Sequence, residues 1–117
     1  MIIKGIGTDI IEVDRIRKAI ERWDDSFLRR IFCDEEIDYA SQHDNPYPYY
    51  AARFAAKEAV YKAFGDLPYL DWTAIKILKN HNGKPVCHYR PHRWDGQILI
   101  SLSHTHTYAA ASALVTE

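Results

Sequence analysis

Two acids and a lysine carry the first chemical signal in this chain. Asp9 lies in "GIGTDIIEV", just past Gly5 and Gly7, while Glu58 and Lys62 lie one turn apart in "RFAAKEAVYKAFG". Carboxylates drawn from two separate elements suit Mg²⁺, which takes one or two protein carboxylates and fills its octahedron with water and phosphate oxygens. Lys62 could then reach a phosphate while Glu58 holds the metal, and Gly65 would let a backbone come close. Each residue also has a plainer reading. Asp9 would serve equally well as a helix N-cap, and a Glu four residues before a Lys makes a surface pair worth about 0.3–0.5 kcal/mol. Arg53, Lys57 and Tyr61 share one stripe of the same stretch. Like charges four apart repel, and a nearby anion would relieve them.

Other groupings are weaker. Ser103 beside His104 in "SLSHTHTYAAA" has the residue types of a serine hydrolase but no G-x-S-x-G elbow. Hydroxyls and a histidine at a strand end suit hydrogen bonding to a sugar or phosphate instead. Cys87, His88 and His92 offer zinc-ligand types, in a strand-to-loop region rather than on a helix face. "GIG" lacks the third glycine and the βαβ setting of a dinucleotide site. Arg15, Lys18 and Arg22 fall on one helix face, with Arg29 and Arg30 following. A solvated face is the common meaning of such a run, and a docking surface for an acidic partner is the sharper one. The alternation of aromatic and basic residues that binds single-stranded nucleic acid is missing, so no nucleic acid partner is expected.

The elements that must position these groups follow from periodicity. "MIIKGIG" reads as a short strand that ends near Asp9, its glycines marking a turn or a close backbone approach. "EVDRIRKAIERW" has apolar residues at helical spacing. "DSFLRRIF" and "DEEIDYASQ" read as two short helices, with Asp34 as an N-cap. "HDNPYPYY" breaks the pattern before a long Ala-rich helix that stops at Gly65. The period then changes. "WTAIKILKN" and "PVCHYR" flank Asn82-Gly83, a hairpin signal, and "GQILISLS" and "TYAAASALV" are further strands. A helical first half and an antiparallel second half, joined by the N-terminal strand, make an α+β arrangement, with residues 1–117 as a single domain.

Composition sets bounds. The chain has 117 residues, 47% of them hydrophobic, a formal net charge of -1 and two distant cysteines. A core is affordable, yet so short a chain keeps much apolar surface exposed, which favours oligomerisation. Neither a disulfide framework, a signal peptide nor a membrane span is indicated, so a soluble cytoplasmic protein is expected.

Four blocks in order, "GIGTDIIEVDRI", "RFAAKEAVYKAFG", "NGKP" and "ISLSHTHTYAAA", resemble the holo-acyl-carrier-protein synthases, the small 4'-phosphopantetheinyl transferases. The resemblance spans nearly the whole chain. It implies the small transferase fold, a homotrimer with sites at subunit interfaces, and Mg²⁺-dependent transfer of the phosphopantetheine arm of coenzyme A to a serine of an acyl carrier protein, releasing adenosine 3',5'-bisphosphate. It further implies that Asp9 and Glu58 are metal carboxylates and catalytic with Lys62. Lys62 and Gly65 would meet the coenzyme A phosphates, Ser103, His104 and Thr105 the nucleotide, and Arg15, Lys18 and Arg22 the carrier. The family usually continues Gly-Thr-Gly where this chain has Gly65 followed by "DLPYLDW", which sets Asp66 near the phosphates. Glu58, a water on the metal, or Glu35 or Glu36 could take the serine proton. The competing functions are a coenzyme A or carrier binding module without catalysis, and a Mg²⁺-dependent nucleotide diphosphate hydrolase.

Overall fold

Alanine sets the architecture, because it lets a helix and a sheet come closer than larger side chains allow. The computed structural model describes residues 1–117 as β1 (Ile3–Glu12), α1 (Val13–Trp23), α2 (Asp25–Ile31), α3 (Asp34–Ser41), α4 (Tyr47–Phe64), β2 (Lys76–Lys79), β3 (Pro85–His88), β4 (Ile98–His104) and β5 (Tyr108–Thr116). This is the expected α+β fold. α4 is the Ala-rich stretch, with Pro48 in its first turn and Gly65 closing it at φ 75°, where the Gly65 N–H donates to the Tyr61 carbonyl at 3.3 Å. Ala55, Ala59 and Ala63 of α4 and Ala109, Ala111 and Ala113 of β5 are all buried.

β1 approaches α4 most closely. A Cβ placed on Gly5 would stand 2.0 Å from the Ala63 carbonyl oxygen, and one on Gly7 would stand 2.0 Å from that of Ala59. The glycines therefore serve close approach, not a turn. β1, β5 and β4 form an antiparallel sheet in that order, and β2 and β3 form a separate hairpin. Gly83 turns that hairpin at φ 79°, and the Asn80 side chain accepts the N–H groups of Asn82 and Lys84.

The core has two parts, one against the first turns of α4 and one against the rest of the helix. One gathers Val60, Phe64, Ile75, Ile77 and Val115, and the other Val13, Ile16, Ile31, Phe32 and Tyr50, with Ile11 and Leu102 packed against both. Three local expectations change. The first strand runs on to Glu12, its Ile10 and Ile11 paired with Ala110 and Ala109, so Asp9 lies inside the strand. Asp9 is accordingly no N-cap, for Glu12 is the residue that precedes α1. Cys33, not Asp34, precedes α3, and its N–H is taken by the Glu36 carboxylate at 2.8 Å.

Gly7→Ala should destabilise the fold by about 1–3 kcal/mol or more, as overpacked interiors do. A denaturant midpoint equal to wild type would show that β1 can lift from α4 freely.

Candidate functional site

Strand alternation decides where Asp9 points. Side chains two apart share a face, so Asp9 emerges on the face of Gly5 and Gly7, against α4. Its carboxylate accepts a hydrogen bond from the Lys62 ammonium at 3.0 Å, and Lys62 also donates to the Thr8 carbonyl at 3.1 Å. The Asp9 side chain is 13% exposed, that of Lys62 50%. Lys62 thus pairs across to β1 and makes no ion pair with Glu58 one turn away. Burial first, then the charge of Asp9, pushes the Glu58 carboxyl above its usual range, while Lys62 and Arg15 act in the opposite direction. Two carboxylates under mutual repulsion, with a cation beside them, form an electrostatic site that a further positive charge would relieve.

The donor set has a definite character. No group of three His, Cys, Asp or Glu side chains converges anywhere in the chain. The zinc hint at Cys87, His88 and His92 therefore has no cluster behind it, and burial pushes the Cys87 thiol up to about 12. Two carboxylates open to solvent on one side fit a hard cation that keeps most of its water.

Other charges of α4 face elsewhere. The anion that Lys57 meets belongs to the fold and is no ligand: Lys57 is fully buried and donates to Glu36 Oε1 at 2.8 Å and to the carbonyls of Trp72 and Ile75 at 2.7 Å each. Glu36 Oε2 accepts the Ile77 N–H at 2.8 Å. Burial lowers the Lys57 pKa, with Glu36 opposing. With every polar atom of this pair engaged and no exposure, Glu36 is removed as a proton acceptor. Glu35 is exposed and lies 3.8 Å from Lys76. Arg53 is buried as well, its guanidinium 4.4 Å from the Tyr39 ring and its Nε without a partner. No carboxylate lies within ion-pair distance of it; the Tyr39 ring face and the Tyr49 carbonyl are its near partners, with the Glu36 charge acting from further away.

The "SHT" segment divides. His104 lies on the α4 face, edge-on to Tyr49 at 5.1 Å, and Tyr49 stacks on His43 at 3.6 Å. His43, Asn45, Tyr49, His104, Thr105 and His106 line a cleft of about 460 Å³. Ser103 alternates to the outer sheet face, level with Ala110 and Ile10. Period-two reading of "ISLSH" could have separated them. Nothing in the local pattern marked Tyr39 or His43, whose neighbours arrive from α4 and β4.

The basic face is also reduced. Lys18 pairs with Asp14 at 3.1 Å, Arg22 lies over the Trp23 ring at 4.8 Å, and Arg15 and Arg22 have no ion-pair partner. The Asp66 charge after Gly65 is met by Lys4 at 2.8 Å.

Known proteins resemble this chain in sequence and fold over nearly its whole length. Residues 5–113 match the family described as the 4'-phosphopantetheinyl transferase superfamily. A holo-[acyl-carrier-protein] synthase of Thermodesulfovibrio yellowstonii is 40% identical over 114 residues, covering 97% of this chain and 99% of that protein. The crystal structure of a holo-(acyl-carrier-protein) synthase from Bacillus anthracis in complex with CoA (3',5'-ADP) superposes with a TM-score of 0.86 at 30% identity, covering 100% of this chain and 99% of that one. The synthase of Neisseria meningitidis superposes at 0.88 and 30%, covering 99% and 100%. The chain belongs to the 4'-phosphopantetheinyl transferase superfamily.

Proposed function

We propose that residues 1–117 act as one transferase domain that moves the 4'-phosphopantetheine arm of coenzyme A onto a serine of an acyl carrier protein, releasing adenosine 3',5'-bisphosphate. The observation that carries this reading is the meeting of Asp9 and Glu58 beside Lys62, in a chain whose relatives bear the synthase name. Asp9 and Glu58 would hold Mg²⁺, which when bound supplies positive charge to the diphosphate. Lys62 is half exposed on a flexible stem, so its ammonium can turn from Asp9 to a phosphate oxygen. Gly65 adds no side chain to obstruct that approach. The serine oxygen bonds to the β-phosphorus as the bond to the bridging oxygen breaks, and the nucleotide departs in line. Charge neutralisation and positioning supply most of the catalysis. Among the three acids considered as proton acceptors, Glu58 is the one at the site.

The cleft at His104 and Thr105 suits the phosphorylated nucleotide end, with the buried Arg53, its Nε unsatisfied, donating to the carbonyl of the cleft residue Tyr49. Ser103 would join only from the outer sheet face. That face exposes Ile6, Ile10 and Leu99, more adjoining apolar surface than a lone small chain ordinarily leaves in water. A homotrimer that covers it is the assembly we assign. Arg15 and Arg22 would receive the acidic carrier, with Lys18 in a lesser role because Asp14 already holds it. No membrane attachment is invoked: no helix is long and apolar enough to cross one. A cytoplasmic setting is the natural one for this reaction.

One assay decides between transfer, hydrolysis and mere binding. With coenzyme A, Mg²⁺ and apo carrier, the carrier should gain the mass of the arm. Cleaved coenzyme A without carrier gain would mean a hydrolase, and intact coenzyme A a binder. Asp9→Asn and Glu58→Gln should each lower kcat by about 100-fold or more, the scale of losing one group that stabilises transition-state charge. Circular dichroism should stay unchanged. Full turnover with ordinary Mg²⁺ dependence in either variant removes that residue from the site.

Arg15→Glu combined with Arg22→Glu should raise the KM for carrier by about tenfold at low salt and leave that for coenzyme A alone, the difference shrinking as salt screens exposed charge. An unaltered carrier KM would place docking elsewhere. Sedimentation should give a trimer at micromolar protein, and Ile6→Glu with Ile10→Glu should dissociate it. A fully active monomer in the parent chain would reject the assembly.

A further inference from the structure

Two lysines of α4, Lys57 and Lys62, meet opposite fates. Lys57 is fully buried, with Glu36 and the carbonyls of Trp72 and Ile75 around its ammonium, so its three N–H groups are all engaged. Lys62 is half exposed and uses two, one on Asp9 Oδ1 at 3.0 Å and one on the Thr8 carbonyl at 3.1 Å. Its third N–H has no partner in the fold. Both partners lie on β1, 53 and 54 residues earlier in the chain. The contact therefore comes from the close seat of β1 on α4, where Gly5 and Gly7 meet Ala63 and Ala59, and not from the helix itself.

Asp9 is in the converse position. Its side chain is 13% exposed, and Lys62 is the one cation within ion-pair distance of it. Glu58 makes no ion pair of its own, yet the charges of both Asp9 and Lys62 act on it. A divalent cation seated at Asp9 and the Lys62 ammonium therefore claim the same carboxylate, and two positive charges a few ångströms apart repel. A carboxylate closed in between strand and helix is costly to leave without a counter-charge. Lys62 supplies one, on a stem that rotates away when an anion is within reach.

We propose that Lys62 guards Asp9: its ammonium holds the carboxylate against Mg²⁺ until a diphosphate draws it away, so that the metal and coenzyme A favour each other's binding through this one side chain. This rests on the transferase reading above, which sets the diphosphate at Asp9, Glu58 and Lys62. Asp9 stays balanced throughout, by the ammonium in one arrangement and by the metal in the other. The coupling runs both ways. If the diphosphate frees Asp9 for the metal, the metal frees Lys62 for the diphosphate by the same factor. The metal alone is then held weakly, and the site is completed only with its substrate. A fixed cluster, in which Lys62 stays on Asp9 beside the metal, would behave in the opposite way. Lys62 would there aim the carboxylate, and its loss would loosen the metal.

The deciding measurement needs no turnover. Mn²⁺, which takes the same hard oxygen ligands as Mg²⁺, is titrated into the full chain without coenzyme A and followed by electron paramagnetic resonance. Lys62→Met keeps the apolar stem and removes the charge. It should bind Mn²⁺ at least about fivefold more tightly than the parent chain, the lower end of ordinary coupling between sites. The gain should survive roughly 0.5 M KCl, which screens charges more than a few ångströms apart. A gain abolished by salt would be the general field of a surface charge and would overturn the proposal. Unchanged or weaker Mn²⁺ binding in Lys62→Met would overturn it equally. Coenzyme A separates this result from the reading beneath it. If the parent chain binds coenzyme A with Mg²⁺ while Lys62→Met leaves Mn²⁺ affinity as it was, the guard alone falls. A parent chain that binds neither coenzyme A nor Mn²⁺ would bring down the transferase reading and the guard with it.

Discussion

Everything in this molecule depends on how closely one strand can lie on one helix. Gly5 and Gly7 have no Cβ, and Ala59 and Ala63 have nothing beyond one, so the backbones of β1 and α4 nearly touch. This contact sets the height at which Asp9 leaves the strand relative to Glu58 and Lys62. A larger residue at any of these positions would raise the strand, and a strand raised by one methyl group would carry its carboxylate away from the helix. The small residues are therefore part of the site, although none of them carries chemistry. β5 extends the same logic through Ala109, Ala111 and Ala113, which keep the whole sheet close to the helix.

A second constraint works from the opposite side of α4. The buried ion pair of Lys57 and Glu36 links α3, α4, the segment before β2, and the backbone N–H of Ile77 in β2. Removing one partner of such a pair costs about 3–5 kcal/mol, because the remaining charge stays buried alone. The cost secures position. α4 is thus held between a strand pressed on one side and a charged clamp on the other, and its Glu58–Lys62 turn is the part left facing solvent.

Much of this was legible before any coordinates. The Ala-rich helix, its Gly65 stop and the Asn82-Gly83 hairpin follow from local rules, because the causes lie within a few residues of each other, whereas the choice between a turn and a close approach at Gly5 and Gly7 is made by Ala63 and Ala59, far along the chain. Asp9, Glu58 and Lys62 were legible as a group, although the partner of Lys62 was not: Glu58 is near it in sequence, and Asp9 is near it in space. Lys57 was misread for the same reason, since its partner sits 21 residues earlier and only the tertiary fold joins them. β1 proved longer than its glycines and threonine suggested, because pairing with β5 outweighs weak strand propensity. The aromatic cluster of Tyr39, His43 and Tyr49 had no periodic signature.

The pairing of β1 with β5 has a consequence for how the protein comes into being. Within the fold, the strand that carries Asp9 comes before every other element in sequence, and the central strand it pairs with comes after them all. The Glu117 N–H donates to the Ile2 carbonyl at 2.8 Å, joining residues 115 apart. While a growing chain is still held by the ribosome, the early strand has only the helix to rest on, and its hydrogen-bonding edge waits unpaired. Closing so long a loop is slow and entropically expensive until the final strand arrives. Until β5 pairs with β1, Asp9 is therefore held beside Glu58 and Lys62 from the helix side alone, and the strand that carries it is free to lift.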